Sequence, residues 1–400
     1  MTGGFLSGLL DEADRIRESL VELRRAIHRH PEGGFAEFQT AALVEKTLAS
    51  CGIPARRVAK TGVVGVLDGT GPGRVVALRA DMDALELDEG TGATYASGVP
   101  GLMHACGHDA HTAILLGAAR LLSGRRASLP GSVVFLFQPA EETTGGALPM
   151  IEEGVLEDPR VDAVFGLHVG IDLPCGEVSV SEGTVHAASD MFDVTVTGRG
   201  CHGAHPHEGV DAVAIAGQVL CSLQSVVSRS VDPLEPSVVT VGTIRGGSAR
   251  NVLAETVEMG GIIRTLSPGV RKGVRERVRA IVEGTAASLG GRAEIRITEG
   301  YPCLVNDPGM ARLVKATATG LLGAGKVRPA TRPSMGVEDF AYFSGERPGA
   351  FFYLGAGNPA KGIIHPAHSP RFDIDEDALP VGAAMMAGVA LNFLTGEARQ

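Results

Sequence analysis

Arg74–Ala80 reads RVVALRA, Ala110–Ser123 reads AHTAILLGAARLLS and Ser132–Gln138 reads SVVFLFQ. The outer two are short, continuous apolar runs rich in Val and Phe, the pattern of strands buried on both faces. The longer stretch between them reads as a helix. Val161–Leu167 (VDAVFGL) and Ala350–Leu354 (AFFYL) repeat the strand signal. Strands alternating with helices predict an α/β fold, a mostly parallel sheet covered on both faces. Working towards the N-terminus, Leu20, Leu23 and Ile27 lie at helical spacing among Arg and Glu, so an amphipathic helix is expected until Pro31 and Gly33–Gly34. A second helix is expected over Glu37–Ser50, stopped by Gly52 and Pro54.

The texture changes over 187–298. Met191–Thr197 (MFDVTVT) alternates apolar and polar residues, a helix is expected near 210–229, and Ser237–Ile244 and Thr256–Thr265 alternate again. Arg271–Leu289 is a charged amphipathic helix, and Arg292–Ile297 is another alternating strand. The order βαββαβ predicts a self-contained α+β unit with a half-exposed sheet. The expected division is therefore 1–186 plus 299–400 as one discontinuous domain, with 187–298 inserted into it.

The 400 residues are 44% hydrophobic and 20% charged, enough to bury a core. Lys plus Arg number 36 against 46 Asp plus Glu, a net charge of −10, which speaks against a nucleic-acid or anionic-membrane binder. No apolar run reads as approaching the roughly 18 residues that span a bilayer. Phe5–Leu10 is too short for a signal core and is followed by Asp11, Glu12 and Asp14. The six cysteines have no framework spacing, so a reducing, cytoplasmic setting is expected.

Each buried strand is followed by chemistry. RVVALRA runs into Asp81-Met82-Asp83, SVVFLFQ into Pro139-Ala140-Glu141-Glu142, and VDAVFGL into His168. In open parallel sheets, ligands bind outside the carboxyl ends of the strands. The densest signal is His104-Ala105-Cys106-Gly107-His108-Asp109-Ala110-His111. In an extended loop His104, Cys106 and His108 project to one side, and imidazole and thiolate are ligands for zinc and similar ions. With no paired C-x-x-C spacing, a mixed N, S and O set points to a catalytic centre with open positions. Glu141 and Glu142 are adjacent, so one is free to bind metal while the other faces an attacking water. His365-Pro366-Ala367-His368 offers a distal ligand from one of its two imidazoles. In the inserted unit, Cys201-His202-Gly203-Ala204-His205-Pro206-His207 points to a polarising or substrate-binding role, and Asn251 and Arg264 to an anionic group.

At these residues the chain resembles the dinuclear metallo-aminoacylase and carboxypeptidase superfamily, in particular its hippurate hydrolase, N-acyl-amino-acid amidohydrolase and indole-acetyl-amino-acid hydrolase branch. The matching motifs are RADMDAL at 79–85, HACGHDAHTA at 104–113, FQPAEE at 137–142, GLHV at 166–169, GRGCHGAHPHEGVDAV at 198–213, SMGVEDFAYF at 334–343 and HSPRFDIDEDALPVGAA at 368–384. The resemblance implies a zinc-peptidase-like domain carrying a smaller dimerisation or lid domain, and a homodimer, with a tetramer as the alternative. It implies two divalent ions per subunit, drawn from Zn, Mn, Co or Ni, held by Cys106, His108, Glu142, His168 and His368, with Cys106 bridging. Glu141 would be the general base, Asp83 would orient a ligating His, and His202 would reach the scissile carbonyl of the other subunit's site. Asn251 and Arg264 would contact the substrate's carboxylate or carbonyl.

The implied substrate is an N-acyl amino acid or small peptide-like amide, with deacetylation of N-acetyl-diamino acids or dipeptidase or carboxypeptidase action as alternatives. A non-catalytic paralogue would tolerate loss of Glu141 or a ligand, and every position is filled. The chain departs from the family pattern at Glu86-Leu87, over Gly170–Gly183 with its Cys175, at Cys201 and at His205.

Overall fold

The computed structural model describes residues 6–329 and 332–396. These fall into two compact units, one within Met1–Gly183, Val305–Thr331 and Tyr342–Gln400, the other within Thr184–Leu304 and Arg332–Ala341. The second unit takes in 332–341, a stretch that the sequence reading placed with the large domain.

In the larger unit the described strands form an eight-stranded sheet. Its order is Ala55–Val58, Gly62–Asp68, Ser132–Gln138, Val75–Asp81, Ala163–Pro174, Gly349–Gly357, Val178–Val180 and Val327–Pro329. The central ladders, from Ser132–Gln138 across to Gly349–Gly357, are all parallel. The Gly62–Asp68 strand pairs antiparallel with Ser132–Gln138. Continuous apolar runs suit the middle of this sheet because helices cover it, and Phe135, Phe137, Phe165 and Phe352 are all buried there. The expected α/β class, parallel-rich with flanking helices, is what the chain adopts.

One expectation fails. Ala378–Thr395 is an 18-residue helix, ALPVGAAMMAGVALNFLT, with a mean hydropathy of 1.6 and no charged side chain. It is 89% buried, packed against the His108–Ser123 helix at the centre of the unit. A helix apolar on all sides is what a wholly enclosed position demands. Ala212–Ser230 also reaches membrane-spanning length, at a mean hydropathy of 1.2.

The second unit builds a four-stranded antiparallel sheet in the order Arg292–Glu299, Ala188–Thr197, Thr256–Thr265 and Ser237–Gly246. Along Ala188–Thr197 buried and exposed residues alternate. Two helices cover the inner face. Ala212–Ser230 turns Ile215, Val219, Leu223 and Val226 inward, and Pro268–Ser288 turns Val274, Val278, Val282 and Ala286 inward. The first is capped by Asp211, whose carboxylate accepts from the N–H groups of Val213 and Ala214.

Candidate metal centre

Strand ends and one helix start supply the site. Asp83 lies two residues beyond Val75–Asp81, Glu141 and Glu142 follow Ser132–Gln138, His168 sits on Ala163–Pro174, and His108 opens the helix His108–Ser123. Gly107 makes the junction between Cys106 and His108. Its φ is +88°, and a Cβ there would lie 2.4 Å from Val169 Cγ2, so only glycine fits. Two non-glycine residues with left-handed backbone also adjoin the site, Ala140 at φ 57° and His368 at φ 65°. Such strain persists where the surroundings hold it, and the N–H of His368 donates to Ala105 O at 2.8 Å.

The donors form two sets around one sulfur. Cys106, His108 and His168 have ligand atoms within 4.8 Å of one another, and so do Cys106, Glu142 and His368. Glu141 completes a third such group with His108 and Glu142. Cys106 Sγ is 3.3 Å from His168 Nε2, His108 Nε2 is 3.8 Å from Glu142 Oε1, and His368 Nε2 is 3.2 Å from that same oxygen. These separations suit ligands that share a cation at about 2.0–2.3 Å each. Among the described residues His108 Nε2 is moreover buried without a hydrogen-bond partner. A buried polar atom left so is costly unless something coordinates it. The donor set therefore fits divalent metal.

The tautomers are set for it. His108 Nδ1 donates to Asp83, 3.0 Å from its carbonyl oxygen and 3.2 Å from Oδ1, and His168 Nδ1 donates to Val169 O at 2.7 Å. Each ring thus turns its Nε2 towards the donor cluster. Asp83 serves twice, because its Oδ2 accepts the N–H of Glu142 at 2.9 Å. Burial would raise the Glu142 carboxyl, but His368 and His108 outweigh it and hold it down at about 2. Burial pulls His168 down to about 3, keeping it neutral. Burial also pushes the Cys106 thiol well up, so the thiolate needs cations close by.

Sequence reasoning missed a second layer. Arg79 is fully buried, bonding Gln138 Oε1 at 2.8 Å and Asp81 Oδ2 at 2.6 Å. Asp81 Oδ1 holds His111 Nδ1 at 2.6 Å, and His111 Nε2 accepts the N–H of Val169 at 2.9 Å, next to His168. The available signal was position: Asp81 shares a strand end with Asp83, and His111 follows His108 by one helical turn. His104, by contrast, was grouped by spacing with Cys106 and His108, and the structure separates it. It is buried beside His28, ring centroids 6.2 Å apart, and belongs to neither donor set.

The remaining expected residues lie in the second unit. His202 and Asn251 are exposed neighbours, joined by the N–H of Gly203 donating to Asn251 O at 2.7 Å, and both line a cleft of about 840 Å³. His202 Nδ1 accepts from the N–H of Ala204 at 3.1 Å, which leaves Nε2–H as the ring's donor. The Cys201 thiol is turned to backbone, 3.3 Å from His205 O. Arg264 does not line that cleft. Its half-buried guanidinium makes no hydrogen bond among the described residues, and Asp190 nearby is taken by Arg271 at 2.7 Å.

A shared buried thiol with imidazole and carboxylate donors, on a helix-flanked parallel sheet, defines the class as a metal-dependent hydrolase. Residues 77–392 match the family described as Peptidase family M20/M25/M40, and the chain belongs to it. It is 41% identical over 384 residues to N-acetyl-L-cysteine deacetylase of Bacillus subtilis (strain 168), covering 94% of this chain and 90% of that one. It is 41% identical over 380 residues to IAA-amino acid hydrolase ILR1-like 4 of Arabidopsis thaliana, covering 94% and 86%. Among solved structures it is similar to the Bacillus subtilis YXEP protein, described as a dinuclear metal binding peptidase from the M20 family. The TM-score is 0.85 and the identity 36%, over 96% of this chain and 99% of that one. The protein is a metal-dependent amidohydrolase.

Proposed function

We propose that the protein hydrolyses the amide bond of an N-acyl amino acid, hippurate-like or N-acetylated, to a carboxylic acid and a free amino acid. The carrying observation is that two donor sets share Cys106, with the Glu141 carboxylate beside His108 and Glu142. On this reading Cys106, His108 and His168 hold one divalent ion and Cys106, Glu142 and His368 a second. Bound there, the ions supply Lewis acidity to a water and to the scissile carbonyl. Thiolate and imidazole suit Zn, Co or Ni, and the carboxylate also suits Mn.

Glu141 takes the proton of the attacking water and passes it to the leaving nitrogen. His202 donates its Nε2–H to the carbonyl oxygen as charge builds, a contribution of about 3–4 kcal/mol for a well-placed donor. In this reading His202 serves the site of the other subunit of a homodimer, through the second unit as dimerisation and lid domain. Asn251 and Arg264 contact the substrate's carboxylate or carbonyl. In support, Arg264 is a half-buried fork of donors with no hydrogen-bond partner among the described residues.

Glu141→Gln tests the assignment. It is expected to keep its metal while turnover falls about 10²–10⁴-fold, the usual worth of a general base. Near-native activity in that variant would refute it. A panel of hippurate, acetyl-amino acids, dipeptides and acetyl-diaminopimelate, run with metal reconstitution, separates this reading from N-acetyl-diamino-acid deacetylation and from dipeptidase or carboxypeptidase action.

A further inference from the structure

The helix Arg17–Arg29 buries Leu20 and Ile27, as its periodicity requires, yet the same buried face carries Arg24 and His28 one turn apart. Arg24 has no exposed surface at all. A guanidinium is left in such a place only when its donors are matched by acceptors. Three carboxylates match them. Nε donates to Asp109 Oδ2 at 2.7 Å, Nη2 to Asp373 Oδ1 at 2.8 Å and Nη1 to Glu376 Oε1 at 3.1 Å. Tyr95 closes the group, its hydroxyl donating to Asp373 Oδ2 at 2.7 Å and its ring centroid 4.8 Å from the guanidinium carbon.

These acceptors come from two segments far apart in the chain, and each segment carries a donor of a different set. Asp109 directly follows His108. Asp373 and Glu376 follow His368 in the loop that leads to the Ala378–Thr395 helix. A second tie runs alongside: His28 Nδ1 donates to the same Asp109 oxygen at 2.7 Å, while its Nε2 lies 3.3 Å from Glu89. The N–H of Gly90 in turn donates to Pro370 O at 2.7 Å, two residues beyond His368. Every link from Arg24 stops short of the donors themselves.

We propose that Arg24 is a positioning residue: it locks the His368 segment against the start of the His108 helix and so sets the affinity of the second ion, the one held by Glu142 and His368. The inference rests on the two-ion reading above. It predicts a split, because His108 and His168 have ties of their own to Asp83 and Val169, whereas the His368 segment meets the first set through the N–H of His368 on Ala105 O.

The test is titration of apo-protein with Co²⁺ or Zn²⁺ against a competing chelator, with no substrate present. Wild type is expected to take up two ions. Arg24→Lys keeps the charge but loses the fork, and Arg24→Met loses both. The first ion is expected to bind as in wild type and the second about 10- to 100-fold more weakly in Arg24→Met, as for other partners that orient a ligand, with Arg24→Lys between. In the His368→Asn background, adding Arg24→Met should change the remaining ion's affinity no further. If Arg24→Met does not fold, Tyr95→Phe, which removes one bond from Asp373, should weaken the second ion alone by about 2- to 10-fold. Unchanged binding of the second ion, or equal loss of both, overturns the proposal. A wild type that takes only one ion overturns the two-ion reading instead.

Discussion

His28 shows how a single buried side chain carries a pH dependence. Burial favours its neutral ring, but Asp109 and Glu89 outweigh that and raise it to about 9. A group raised above its unfolded value of about 6.5 contributes stability fully below that pH and loses it as pH climbs through the folded value. Urea unfolding of wild type is therefore expected to weaken between about pH 6.5 and 9, with His28→Gln showing a flatter profile over that window. Gly107 makes a steric prediction. Alanine there meets both a left-handed backbone, costing about 1–2 kcal/mol, and a clash with Val169 that only local repacking relieves. Gly107→Ala should lower the melting temperature and, by displacing Cys106 relative to His108, the metal content.

Among secondary elements, the Val75–Asp81 strand buries a charged pair at its end. Arg79 and Asp81 are both fully buried on it, and Asp81 is held well below the usual carboxylate range, its burial outweighed by His108, Arg79 and His111. Arg79→Met strips the guanidinium from Asp81 Oδ2 and leaves the buried carboxylate to His111, and a loss of about 3–5 kcal/mol in denaturant unfolding is expected. The strand was legible in RVVALRA because a run buried on both faces needs no partner to be recognised. Its charged end was only half legible, since Asp83 stands out beside a known motif whereas Asp81 and His111 matter through each other. Arg24 gave no signal, because one arginine in an amphipathic helix reads as part of the solvated face. The Ala378–Thr395 helix was overlooked for a related reason: without a polar face it has no periodicity to see.

For the whole molecule, metal and fold are coupled. Ions that bind only the native arrangement stabilise it by about 4 kcal/mol at a thousandfold excess over the dissociation constant. Chelation should lower the melting temperature, and added Zn, Co, Mn or Ni should restore it together with activity. If none of the four ions restores either, the metal assignment fails. The proposed homodimer has its own check, since sedimentation at micromolar concentration is expected to give twice the mass of one chain.

The apolar runs, the alternating strands of 187–298 and the clustered His, Cys and Glu motifs already specify a parallel-rich α/β sheet, an α+β insertion and a metallohydrolase. Each depends on neighbours in the chain, so burial pattern and residue type suffice to reveal it. The tertiary structure alone decided that His104 stands apart and that Arg24 gathers Asp109, Asp373 and Glu376. These are meetings between distant segments, fixed by how the sheet and helices pack and by the cost of leaving a buried charge unmatched, and no local pattern encodes them.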